Sequence, residues 1–107
     1  MAQFIDPFPG MKPGEKLGAR ELARAIRQAI AAEHEAVHLY EAVADATDNA
    51  KAKDILQDIA NEEKVHIGEL QGLLESVQPD EKEHVDEGRD EVKENLASWV
   101  SRNVRLS

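Results

Sequence analysis

The chain has no cysteine among its 107 residues. Disulfides, thiolate zinc sites, cysteine-ligated iron–sulfur clusters and rubredoxin-type iron sites are therefore excluded. No run approaches the roughly 20 apolar residues that cross a bilayer. No basic stretch leads into an apolar one at the N-terminus, so no secretory leader is expected and the default location is the cytoplasm. Positive charge is scarce, with 13 basic against 22 acidic residues and a formal net charge of −9. Nucleic acid requires a basic face, so this balance argues against it. A cation is the ligand such a surface favours. Proline occurs only at positions 7, 9, 13 and 79. A chain of this length is one small domain at most.

Residues 1–16 hold Pro7, Pro9, Pro13, Gly10 and Gly14. That density precludes a helix and predicts an extended N-terminal arm. A first long helix is expected from about 19 to about 46, with a stripe at Leu22, Ile26, Ala29, Glu33, Val37, Tyr40 and Ala44. Thr47-Asp48-Asn49 forms a polar turn rich in capping side chains. A second helix is expected from about 50 to about 77. Pro79 ends it and can open a third, from about 80 to 100, interrupted at Gly88. Residues 101–107 are then left as a tail. The fold class is all-α: an antiparallel hairpin spanning two long helices, plus a shorter C-terminal helix.

The stretch Glu62 to Leu74, EEKVHIGELQGLL, carries the chemistry. Its apolar stripe runs through Leu56, Ile59, Leu70, Leu73 and Val77. The steps of three and four leave two vacancies, and Glu63 and His66 fill them. A charged and a titratable side chain thus occupy positions where the pattern calls for apolar ones. Buried charge is costly unless paired or bound to metal. Residues three apart share a helix face, so Glu63 and His66 can grip one ion. Glu33 lies 15 residues before Asp48 and Glu63 lies 15 after it. In an antiparallel hairpin the two fall at one level. Glu33, Glu63 and His66 are therefore the candidate metal ligands and catalytic residues.

Three ligands on two helices are half of a dinuclear site. A carboxylate-bridged pair in a four-helix bundle takes a Glu from each of two helices and a Glu-x-x-His from each of the other two. Two copies of this hairpin supply that set, and two helices alone leave much of their apolar stripes uncovered. The expected site therefore lies across a homodimer interface. Such ligands suit iron, manganese or zinc.

A Glu-x-x-His by itself is weak, because Glu35/His38 and Glu81/His84 have the same spacing. Relative to Glu33, Glu35 is rotated by about 200° and His38 by about 140°, at about 100° per residue. Both point away from the stripe and read as solvated, as do His34, Glu81 and His84. Tyr40, two turns from Glu33 on the same stripe, is placed either to support a ligand carboxylate or to fill the core. Glu62 is turned about 100° from Glu63 and reads as solvated or as part of a subunit contact.

The run AEHEAVHLYEAVADA, followed by ILQDIANEEKVHIGEL, resembles the half-bundle of the encapsulated ferritins. It is also similar to the ferritin-like domain of rubrerythrins, where a ligand Glu precedes a Tyr by seven residues, as Glu33 precedes Tyr40. The resemblance covers about residues 17–96 and includes a type whose domain is fused to the encapsulin shell protein. It places iron ligands at Glu33, Glu63 and His66. A carboxylate at the position of Glu35 resembles part of an outer site that passes iron inward. What it implies is a ferroxidase with two iron ions per dimer, for which zinc, manganese or calcium can substitute. It further implies dimers assembled into a ring and carried inside an encapsulin nanocompartment for iron storage. Leu39 stands where many members have Trp, and RNVRLS departs from the usual shell-targeting tail. Two other readings stay open: a rubrerythrin-like peroxide-reducing protein, and a non-catalytic module that dimerises on metal.

Overall fold

The computed structural model describes residues 14–104. They form three helices: α1 (Ala19–Ala46), α2 (Ala50–Val77) and α3 (Pro79–Val104). The expected arm falls on residues 1–16, of which 1–13 lie outside the described residues. Gly14, at φ +86°, adopts a conformation open to glycine at no steric cost.

The turn between α1 and α2 is built by its own side chains. Thr47 Oγ1 accepts from the Asn49 N–H at 3.1 Å, and Asn49 Oδ1 accepts from the Ala52 N–H at 3.0 Å, capping α2. At its far end α2 closes on a Gln78 N–H bond to the Leu74 carbonyl. Pro79 cannot continue the ladder and starts α3 instead, where its missing N–H costs nothing.

The hairpin keeps one register along its length. Lys53 Nζ donates to the Ala44 carbonyl at 2.7 Å, and Gln57 Nε2 donates to Glu41 at 3.1 Å. Farther along, Ala23 and Ile26 bury against Leu74. The Ala44–Lys53, Glu41–Gln57 and Ala23–Leu74 pairs are each symmetric about Asp48 to within two residues. The core is thin: among the described residues, Ala23, Ile26, Ala44, Ala60 and Leu74 are the buried apolar ones. The molecule measures 63 × 42 × 19 Å, and its least dimension is about two helix widths.

The apolar stripes are therefore split lengthwise. Their inner halves face each other, and their outer halves face solvent. The sequence pattern places Leu22 and Leu73 on the stripes, yet their neighbours Ala23 and Leu74 are the buried ones. Leu22, Val43, Ile55 and Leu73 remain 37%, 44%, 60% and 48% exposed. A hairpin has only one inner seam, so a stripe broad enough for a bundle cannot be covered within one chain.

Two expectations for α3 are corrected. Gly88 does not interrupt it, because a helical glycine costs only about 1 kcal/mol relative to alanine. The helix also runs on to Val104, so residues 101–104 of the expected tail are helical, and 105–107 lie outside the described residues. With 26 residues, α3 is only slightly shorter than the 28-residue α1 and α2. It buries no residue. A forked ion pair from Arg27 to Glu81 ties its first turn back to α1.

Candidate metal centre

Glu33 comes from the middle of α1, and Glu63 and His66 from the facing stretch of α2. The register described above brings them level. His66 Nδ1 lies 3.4 Å from Glu63 Oε2 and 3.6 Å from Glu33 Oε2. One donor atom from each of the three falls within 4.8 Å of the others. Two ligands on one ion at about 2.1 Å stand roughly 3 to 4.2 Å apart, so a small shift of the side chains closes them on a metal. Among the described residues no other three His, Asp or Glu side chains converge in this way.

Glu33 carries the decisive detail. Its Oε2 is buried and has no hydrogen-bond partner. A carboxylate oxygen removed from water without a donor is expensive, and a bound cation removes that cost. The chemistry of the set, two carboxylates and an imidazole, suits iron and its borderline neighbours. The side chains of Glu33 and Glu63 are 25% and 20% exposed, whereas that of His66 is 51% exposed. His66 lies on the same open side of α2 as Ile55 and Leu73. The cluster therefore sits at the edge of the uncovered apolar face.

The other singled-out residues are not part of it. Tyr40 is partly buried on the same face of α1 but makes no hydrogen bond to Glu33 within the chain. Glu35, His38 and Glu62 are exposed. His34 lines a cleft with Ile30, Gln71, Glu75 and Arg89. His84 is an exposed side chain 3.9 Å from Asp80.

One polar contact near the site escaped the sequence reading. Glu41 accepts from Gln57 at 3.1 Å and from Lys64 at 3.0 Å. These two bonds, Gln57 first, hold its carboxyl below the ordinary value of 4.5. Lys64 follows Glu63 directly, so this contact ties the ligand-bearing stretch of α2 to α1. The signal for it was the register: Glu41 and Gln57 are nearly equidistant from Asp48.

The family model described as Rubrerythrin matches residues 22–107. The chain belongs to the rubrerythrin family. Within that family it is similar to the encapsulin nanocompartment cargo protein EncC of Myxococcus xanthus, at 42% identity over 82 residues. That match takes in 77% of this chain and 62% of the relative. It is similar to a ferritin-like–encapsulin shell fusion protein of Pyrococcus furiosus, at 40% identity over 74 residues. There the match takes in 69% of this chain and 21% of the fusion. The chain thus spans under two thirds of one relative and about a fifth of the other. Among solved structures, the encapsulated ferritin domain from Pyrococcus furiosus superposes with a TM-score of 0.72 at 36% identity. That superposition covers 81% of this chain and 90% of that domain. The ferritin-like all-α fold and the family resemblance drawn from the sequence are both borne out.

Proposed function

We propose that the chain is a ferroxidase whose substrate is Fe(II), bound at a site completed by a second copy. The observation that carries this reading is the buried, partnerless Glu33 Oε2 facing Glu63 and His66 at the edge of an open apolar face. One chain offers two carboxylates and one imidazole. A second hairpin laid on that face brings the total to four carboxylates and two imidazoles, the set a di-iron centre takes. It also covers the exposed halves of both stripes.

Each of two Fe(II) ions gives up one electron. Dioxygen takes the pair with two protons and leaves as hydrogen peroxide; alternatively, peroxide takes the pair and leaves as water or hydroxide. The chain's own residues hold the two ions close together. Their carboxylates stabilise Fe(III) more than Fe(II), because attraction grows with the charge on the ion. A two-helix hairpin encloses no space for mineral. Storage is therefore external, and the likeness to an encapsulin cargo protein and to a shell fusion supports a place inside an encapsulin shell. The C-terminal residues 101–107 are the proposed docking segment. Truncation after Val100 is expected to lower co-purification with encapsulin while leaving oxidation intact.

The deciding experiment mixes anaerobic Fe(II)-loaded protein with oxygen and, separately, with peroxide. Rapid growth of ferric absorbance at two iron ions per dimer supports the ferroxidase. Fast turnover with peroxide alone shifts the reading to a peroxide reductase. Metal binding with no oxidation leaves a dimerisation module.

A further inference from the structure

In a chain with a formal net charge of −9, three of the 13 basic residues stand together on α1. Arg20, Arg24 and Arg27 follow at steps of four and three. At about 100° per residue they fall within an arc of about 60°. Like charges at these steps repel across the helix surface. The three arginines line a cavity of about 220 Å³, together with Ala23 and Gln78, and no carboxylate lines it. The short side chain of the buried Ala23 leaves the space open.

Arg27 already has its partner in Glu81. Arg20 and Arg24 make no side-chain hydrogen bond or ion pair among the described residues. The Gln78 side-chain amide makes none either. Only the backbone of Gln78 is engaged, its N–H donating to the Leu74 carbonyl and its own carbonyl accepting from the Glu81 N–H. Glu21, the acidic residue in the first turn of α1, lies against Gly18 instead: its Oε2 is 2.8 Å from where a Cβ on Gly18 would stand. Two free guanidinium groups and a free amide thus border one small space, with N–H donors in excess of acceptors. Arg20 is in the first turn of α1, and no side chain caps that end. The positive end of the helix dipole adds to the field there.

We infer that the cavity bordered by Arg20, Arg24, Arg27 and Gln78 is an oxoanion site whose ligand is a phosphate group, bound without metal. A guanidinium meets two oxygens of a phosphate at once and keeps its charge at any ordinary pH. A water molecule takes about 30 Å³ in the liquid, so the cavity holds a phosphate with part of its hydration. A dianion among the arginines turns their mutual repulsion into attraction. The site is separate from the metal cluster. Arg27, the arginine nearest to it in sequence, is six residues from Glu33, about 9 Å along α1, and is rotated by about 120° from it. A bound phosphate links the start of α1 to the joint between α2 and α3, and it stabilises the fold by mass action.

The test uses the full chain in EDTA, so its outcome is independent of the oxidation experiment. Titration calorimetry measures the binding of inorganic phosphate and of a phosphate monoester, glycerol phosphate, with ionic strength held constant by sodium chloride. Circular dichroism follows Tm under the same conditions. The wild type is expected to bind one phosphate group per chain, and its Tm is expected to rise with phosphate and not with chloride. Tighter binding of the ester assigns the cavity to a phosphorylated small molecule, and tighter binding of the free ion assigns it to inorganic phosphate. Arg24→Gln is expected to weaken binding by about tenfold or more, the usual worth of hydrogen bonds to a charged group. The double variant Arg20→Gln, Arg24→Gln is expected to lose both the binding and the Tm response. Its helical circular dichroism is expected to stay unchanged, because both side chains are exposed. Arg102→Gln, at the far end of α3, is expected to bind as the wild type does. The inference is overturned if the wild type shows neither binding nor a Tm response. It is equally overturned if the double variant keeps the wild-type affinity, or if Arg102→Gln loses as much as Arg24→Gln.

Discussion

Glu33 Oε2 on α1 and His66 Nδ1 on α2 lie 3.6 Å apart across the hairpin, and neither satisfies the other by a hydrogen bond. Thirty-three residues of chain separate them. The two long helices and their capped turn are what bring them within reach of one ion.

Loss of any one ligand is expected to abolish rapid iron oxidation. Residues that only orient a ligand cost about 10- to 100-fold when removed, so Glu33→Ala, Glu63→Ala and His66→Ala should each fall below about a hundredth of the wild-type rate. His84→Ala, on the exposed first turns of α3, should leave the rate unchanged. Stopped-flow ferric absorbance checks all four. An equal loss in His84→Ala would overturn the assignment of the cluster.

Metal and assembly are expected to be coupled at the hairpin face. Carboxylates gathered from two copies repel without a cation and attract with one. A ligand that binds only the assembled form stabilises it by mass action. Adding Fe(II) or Zn(II) to the chain should raise its mass, chelation should reverse the step, and light scattering follows both. A monomer carrying two iron ions would refute the shared site.

The Glu41 contact predicts a pH dependence with a definite sign. Its carboxyl is held below 4.5 in the folded chain, chiefly by Gln57 and then by Lys64. The unfolded chain binds the proton more readily, so the contact stabilises the fold above 4.5 and the gain disappears as pH falls through the folded-state value. Glu41→Gln should therefore differ from the wild type in denaturant midpoint at pH 7 and converge with it in acid. Parallel curves at all pH values would contradict the contact.

Asn49→Ala removes the side-chain cap of α2 and should lower hairpin stability by about 1 kcal/mol. Thermal unfolding followed by circular dichroism measures it. The metal-binding stoichiometry should not change, because the ligands lie several turns away.

The three helices were legible because their stop signals are local. Thr47-Asp48-Asn49 and Pro79 act on their immediate neighbours, and the bounds of α1 and α2 follow from them. The end of α3 was harder. No proline or glycine follows Val100, and Gly88 carries too small a penalty to break a helix flanked by strong formers. The level of Glu33, Glu63 and His66 was readable from their spacing about Asp48. Which half of each stripe is buried was not. Leu22 and Ala23 satisfy the same periodicity, and only the partner helix decides between them. Glu41 sits beside the stripe rather than within it, so a search for polar intrusions passed over it.

The symmetry of the hairpin about its turn limits how the chain can change in length. A single insertion between Glu33 and Asp48 would slide α1 along α2 and swing Glu33 by about 100° away from His66. A matching insertion in α2 would restore the level but not the facing. Only paired additions near seven residues, two full turns on each arm, return the three donors to one another, with a residual rotation of about 20°. Length variation in descendants of this sequence should therefore collect outside the segment from Glu33 to His66, and within it only as balanced two-turn steps.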